Sequence, residues 1–333
     1  MNRLLLLIRL ALRNSPAEAP ESQELRSWDA ATWTEVLALA RTQSVTGLVY
    51  HALSLVPPGE APLLPDDLFF PLVARADGIE RKNRRLAALA ERLVGRISNL
   101  GLHPQVLKGP ATASYYSRPE LREYGDIDLY LPPQEREALQ AAFPGARQDP
   151  GGSFHFQEEG VDIDIHWNWL DLPYSVEGLP ALPSAEATLL MLSVHALKHA
   201  VGTGVGLRQL VDLAAACKAL DYDPAALKTC FKRLRLARWN RLASSFLAQY
   251  LGVPNRMYPG DKQSGEPLMK IVVEGGNFGH YHPSRTRALA QSPLRRKADT
   301  ALRFLRRLPF SLRYAHRLAF ASFVSLAKGN LKG

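Results

Sequence analysis

The amino-acid sequence predicts an α+β protein, in which a compact block of strands and short helices lies between two helical regions. Three observations carry this. Residues 1–98, and the stretch from Ser184 onward, place apolar side chains three and four apart, the period of a helix with one buried face. Around 102–170 the period changes to short apolar runs and strict alternation, as in half-buried strands. Glycines and prolines mark the changes from one period to the other. With 333 residues and 46% apolar composition, the chain can build two or three cores. The organisation read from these shifts is an N-terminal helical region (1–98), an α/β core (99–182), a C-terminal helical domain (183–284) and a basic helical tail (285–333).

Taken in order, Met1–Leu12 is apolar but broken by Arg3 and Arg9. That is too short and too charged for a signal peptide or a spanning helix, and predicts a packed helix whose arginines reach outward. Helical periodicity covers Trp28–Leu53 and Ile79–Leu100, with a Pro-rich connector at Pro57–Pro71 between them and Gly101 closing the second. Pro104–Leu107 is a short strand running into Lys108-Gly109, and Pro110–Tyr116 is a helix opening on proline. Ile127–Leu131 is a strand stopped by Pro132-Pro133, followed by a helix over Gln134–Phe143. Ser153–Gln157 and Val161–Trp167 are strands joined through Glu158-Glu159-Gly160, a hairpin signal. Ser184 is an N-cap for the helix that follows, and Leu207–Leu220 and Ala225–Leu251 continue as helices. Residues 254–284 read as loop from their glycine and proline content, and 285–333 as helical.

Charge and cysteine usage narrow the setting. The two cysteines, Cys217 and Cys230, are too few for a disulfide framework and lack metal-site spacing, which implies a reducing cytoplasm. From Arg285 to Gly333 there are twelve lysines and arginines against one acid, Asp299, while the other 29 bases and 31 acids nearly cancel. The net charge of +9 is therefore a property of the tail, which suits an anionic partner such as RNA or the inner membrane surface. An amphipathic helix folded back on the protein is the plainer reading of the same residues.

The residues with chemical character sit in the α/β block. Asp126 and Asp128 alternate along one strand, so their carboxylates emerge on one face, roughly 6–7 Å apart at Cα. Like charges held together call for a cation, and hard oxygen ligands suit Mg²⁺ or Mn²⁺. Asp162, Asp164 and His166 likewise share one face of Val161–Trp167, opposite the apolar stripe Val161, Ile163, Ile165 and Trp167. Either Asp162 or Asp164 can complete a three-carboxylate site, and periodicity leaves that choice open. A pair of metal ions on such carboxylates can clamp the two oxygens of an in-line phosphoryl displacement. His195 and His199 lie one helical turn apart without a third ligand, a pattern that favours packing over zinc.

The blocks Val106-Leu107-Lys108-Gly109, Tyr115-Tyr116, Arg118, Arg122, Asp126-Ile127-Asp128-Leu129 and Asp164-Ile165-His166-Trp167 resemble the uncharacterised bacterial nucleotidyltransferase family of the polymerase-beta superfamily. The likeness continues through His195–His199 and Leu207–Leu213 and covers roughly residues 80–220. It implies a small mixed sheet with helices, as in minimal nucleotidyltransferases. It also implies Asp126, Asp128 and Asp164 as metal ligands, with Asp164 chosen over Asp162 and able to serve as base. Gly109 would let the backbone approach phosphate, and Lys108, Arg118, Arg122 and His166 are the candidates for nucleotide or acceptor. The wider superfamily has Gly-Ser where this chain has Lys108-Gly109, so Lys108 stands where it could replace a serine contact as a point charge. The expected function is transfer of a nucleoside monophosphate from an NTP to a hydroxyl or phosphate of a sugar, metabolite, peptide or protein. A non-catalytic nucleotide-binding protein and a membrane-surface or RNA adaptor acting through the tail are the competing classes.

Overall fold

The structure is a computed structural model and describes residues 1–62, 64–148, 153–170, 172–202, 204–275 and 306–320. The fold is α+β, and the chain divides into two compact units, Met1–Arg41 with Val45–Asp171, and Thr42–Ser44 with Leu172–Gly333.

The first unit begins with four helices, α1 (Asn2–Arg13), α2 (Ala19–Arg26), α3 (Ala30–Thr42) and α4 (Thr46–Ser54). In α1, Leu4–Ile8, Leu10 and Ala11 are buried while Arg3 donates to Thr32 Oγ1 at 3.2 Å and Arg9 stays exposed. Helix α5 (Asp66–Ser98) starts inside the stretch read from sequence as a connector. Pro65 is its N-cap, Asp66 and Asp67 favour its N-terminal dipole, and Pro71 falls inside the helix in the second turn, where it removes one intrahelical donor. After α5 come the strand β1 (Gln105–Val106), α6 (Pro110–Ala113), β2 (Ile127–Tyr130) and α7 (Arg136–Ala142). The strands β3 (Arg147–Gln148), β4 (Phe154–Glu158) and β5 (Val161–His166) complete the unit.

The five strands form one mixed sheet in the order β1-β2-β5-β4-β3. Only β2 and β5 run parallel; the other neighbours are antiparallel. The β4–β5 hairpin turns at Glu159 and Gly160, both with positive φ (53° and 73°), the backbone a two-residue hairpin requires. Strand β3 is absent from the sequence reading because two residues display no period.

The sheet has two chemically distinct faces. Ile127, Leu129, Val161, Ile163, Ile165 and Phe154 pack against Leu86, Leu89, Ala90, Leu93 and Ile97 of α5, and Trp167 meets Phe154 edge-on. A fully buried aliphatic or aromatic side chain contributes about 1.5–3 kcal/mol. A one-residue slip would move Asp128 and Asp164 into this core, so the alternation specifies the register strongly. The opposite face carries the acids.

Helices α4 and α5 also fix the segment that leads into β2. The buried Asn83 amide donates to Glu120 O and Arg122 O, both at 2.7 Å, and Tyr124 Oη donates to Asn83 O at 3.1 Å. Glu123 accepts from Thr46 N at 2.8 Å, capping α4. A Cβ on Gly47 would meet Leu121 O at 2.1 Å, so the helix backbone itself lies against this segment.

The second unit is helical: α8 (Ala185–Val201), α9 (Leu207–Ala219), α10 (Pro224–Arg233), α11 (Ala237–Leu251) and α12 (Glu266–Gly275). Ser184 Oγ caps α8 by accepting from Ala187 N at 3.2 Å. Helix α12 falls where the composition suggested loop, Pro267 being harmless in a first turn. The buried Gln43 side chain accepts from Leu207 N at 2.7 Å and donates to Val272 O at 3.1 Å, tying α9 to α12.

Residues 306–320 are helical and bury Ser311, Tyr314, Ala315, Leu318 and Ala319, a stripe at spacings of three and four. Arg307 donates to Ala200 O and Gly202 O, each at 3.2 Å, at the C-terminal end of α8. Residues 285–305 and 321–333 of the basic segment lie outside the described residues. Among the described residues no helix is long and apolar enough to cross a membrane.

Replacing Asn83 by Leu keeps the bulk but strands one buried and one part-buried carbonyl, the buried one at about 1–3 kcal/mol. Urea unfolding of Asn83→Leu should show a loss of about 2–4 kcal/mol without a change in slope. An unaltered midpoint would mean the carbonyls of 120–122 find other donors.

Candidate active site

The site starts from the turn after β1. Leu107 N donates to Asp128 O at 2.9 Å, which brings the following two residues alongside β2. Gly109 then adopts φ 59°, ψ −114° and caps α6. A Cβ there would lie 3.3 Å from both Asp126 O and Tyr124 Cδ2, so conformation and space both demand glycine. Arg122, 6% exposed, donates to Gly109 O at 3.3 Å and stacks over Tyr124, its guanidinium carbon 5.6 Å from the ring centre. Burial pushes the Tyr124 phenol up to about 12, against the opposing pull of Arg122, so it remains a neutral donor.

Asp128 lies at the centre of the polar face and is 4% exposed. Two donors converge on its Oδ1: Lys108 Nζ at 2.9 Å and His166 Nε2 at 2.8 Å. Burial by itself would push this carboxyl up. The Lys108 ammonium and the His166 hydrogen bond more than reverse that, holding it far below the usual carboxylate range. His166, a candidate for nucleotide or acceptor in the sequence, is brought by the sheet register to Asp128.

Asp164 is the cross-strand partner of Asp128, in register on the parallel neighbour. Such partners sit about 4.8 Å apart. Asp164 accepts from His155 Nδ1, while Asp162 accepts from Gln157 Nε2 at 2.7 Å, one pair further along. Asp126, just before β2, is exposed and shares with Asp162, Asp164 and His155 the lining of a cleft of about 1200 Å³. The polar face thus brings together Lys108, Asp126, Asp128, Asp162, Asp164 and His166.

Arg118 lies away from the acids, donating through Nη2 to Glu80 at 2.9 Å and through Nε to Glu120. His155 was not singled out from the sequence; alternation along Phe154-His155-Phe156-Gln157 was the available signal, since it sets His155 on the polar face once the β4–β5 pairing is known. His195 and His199 stack edge-to-face on α8 in the second unit, ring centres 4.5 Å apart.

A model of the uncharacterised nucleotidyltransferase family matches residues 29–252, from the start of α3 to the end of α11. The chain belongs to this family. No curated protein and no solved structure matches it. A nucleotidyltransferase fold implies a divalent metal, and the donor set fits one in kind, with hard carboxylate oxygens on adjacent strands and a third at the cleft. In the arrangement described, Lys108 and His166 hold Asp128 Oδ1, and among the described residues no three Asp, Glu, His or Cys side chains are gathered closely enough to chelate an ion.

The depressed carboxyl of Asp128 makes a signed prediction. Its contribution is fully present above the unfolded value near 3.9 and is lost as pH falls through the lower folded value. Lys108→Met removes the largest lowering influence, so its folded value rises and burial is no longer compensated. The variant should lose about 3–5 kcal/mol at pH 7. Its stability should also fall less steeply than wild type between about pH 5 and 2, because less remains to be lost. Parallel acid-side slopes in urea titrations of the two metal-free proteins would contradict the charge pairing.

Proposed function

We propose that this protein transfers a nucleoside monophosphate from an NTP to a hydroxyl or phosphate oxygen of an acceptor, releasing pyrophosphate. The observation that carries the reading is the in-register pair Asp128 and Asp164 on one polar sheet face, beside a glycine turn that presents backbone to a ligand. Asp126, Asp128 and Asp164 would hold Mg²⁺ or Mn²⁺, which when bound neutralises charge on the phosphates. Gly109 admits the phosphates to the backbone, and Arg122 supports that turn from behind through the Gly109 carbonyl. Lys108 would exchange Asp128 for phosphate oxygens when the nucleotide is in place. Arg118 serves the structure through its two glutamates.

In the reaction an acceptor oxygen forms a bond to the α-phosphorus while the bond from that phosphorus to the pyrophosphate oxygen breaks. The acceptor's hydroxyl proton passes to the carboxylate of Asp164, which His155 orients from the other side. Asp162, held by Gln157, takes no part in this step.

Labelled NTP offered with a metabolite extract separates this from nucleotide sensing. Asp128→Asn should abolish metal-dependent NTP binding. Asp164→Asn should retain it within a few-fold while label transfer falls about 10²–10⁴-fold, as for a group needed mainly in the transition state. Asp162→Asn should stay near wild type. Nucleotide binding without transfer by the wild-type protein would favour the sensor, and an inactive Asp162→Asn beside an active Asp164→Asn would reassign the third carboxylate.

A further inference from the structure

The register of the sheet extends the acid pair into a row. Asp128 on β2 is opposite Asp164 on β5, Asp164 is opposite His155 on β4, and His155 is opposite Arg147 on β3. Directly opposed residues share a face, so the four side chains stand on the polar side of the sheet in sequence. Two strand spacings, about 10 Å at Cα, separate Asp164 from Arg147. The row enters the cleft, whose lining includes Asp164, His155 and Arg147. At about 1200 Å³ the cleft exceeds the roughly 300–1,000 Å³ of an ordinary small-ligand site, and has room for a second molecule beside a nucleotide.

We infer that this cleft is the acceptor site and that Arg147 selects an acceptor bearing an anionic group such as a phosphate; the inference rests on the transfer reading given above. The direction of in-line displacement supports it. Attacking and leaving oxygens lie on opposite sides of the phosphorus. The phosphate-approaching turn, Lys108-Gly109, follows β1 at one edge of the sheet, and Arg147 lies on β3 at the other. With pyrophosphate leaving on the β1 side, the acceptor enters across β5, β4 and β3.

Charge supplies the selectivity. Among the described residues the cleft has two arginines, and Arg96 is committed to Glu158 through bonds of 3.1 and 2.5 Å. Arg147 is exposed and makes no ion pair or side-chain hydrogen bond among the described residues. A guanidinium offers a planar fork that matches a phosphate, at a reach from Asp164 suited to a sugar-sized body. A phosphorylated acceptor gains a charge-assisted contact here that its unphosphorylated counterpart lacks, so the site favours the former.

The test uses the full chain saturated with Mg²⁺ and a non-hydrolysable α,β-methylene NTP, titrated with inorganic phosphate as the probe. Saturable phosphate binding is expected on the loaded protein. Arg147→Gln should weaken it by roughly tenfold or more, the loss of one charged hydrogen-bond partner, with the analogue's affinity unchanged. Equal phosphate affinity in wild type and Arg147→Gln overturns the inference. So does an Arg147→Gln protein that binds the analogue itself more weakly, which would move Arg147 to the nucleotide and leave the transfer reading standing. A wild-type chain that binds no analogue overturns the transfer reading, and this inference with it.

Discussion

Burial of the Asp128 carboxylate is the constraint around which the first unit is arranged. An ionised carboxylate withdrawn from water is tolerable only with a paired charge and good hydrogen bonds. Lys108 and His166 provide both on a single oxygen, and each needs a different part of the chain in place. Lys108 reaches Asp128 because Leu107 pairs with β2 and Gly109 turns the chain immediately afterwards. His166 reaches it because β5 runs parallel to β2 in the register that sets Asp128 beside Asp164. An error in the turn or in the register would leave a buried charge unpartnered, so the polar face reports on the correctness of both.

The same requirement explains the weight of helix on the other side. A five-stranded sheet with two strands of only two residues has little core of its own. The apolar stripe of α5, from Leu86 to Ile97, packs on one face, which frees the opposite face to be polar. Asn83, on the same helix, ties down the carbonyls of 120 and 122, and so the approach to β2. One helix therefore supplies the hydrophobic base of the sheet and the restraint on the approach to β2.

The legibility of the sequence follows from these physical roles. Alternation over Val161–Trp167 separated the core stripe from the acids because every second residue must choose a face, and Lys108, Gly109, Asp126, Asp128 and Asp164 were placed by motif and spacing. What alternation could not supply was partnership. Both Asp162 and Asp164 satisfy it, and only the inter-strand register sets Asp164 against Asp128 and sends His166 to the same carboxylate. His155 went unnoticed because its importance lies in the strand opposite. The start of α5 was obscured by Pro57, Pro58, Pro62, Pro65 and Pro71, of which the last two belong to the cap and second turn of the helix. In α12 a proline in the first turn looked like a helix breaker for the same reason.

The presence of Asp164 beside Asp128 is harder to explain by stability than by chemistry. Lys108 and His166 already answer the charge of Asp128. A second carboxylate directly opposite on the adjoining strand is unfavourable, as like charges in a cross-strand pair are. His155 hydrogen-bonds to that second carboxylate but stands on the far side of it from Asp128. A β-branched residue at 164 would pair across the sheet without this penalty. On the transfer reading proposed above, that repulsion would be relieved when a doubly charged cation and a polyphosphate enter together. On this reasoning Lys108, which donates to Asp128 from the turn after β1, is the counter-charge that the acids already have in the structure.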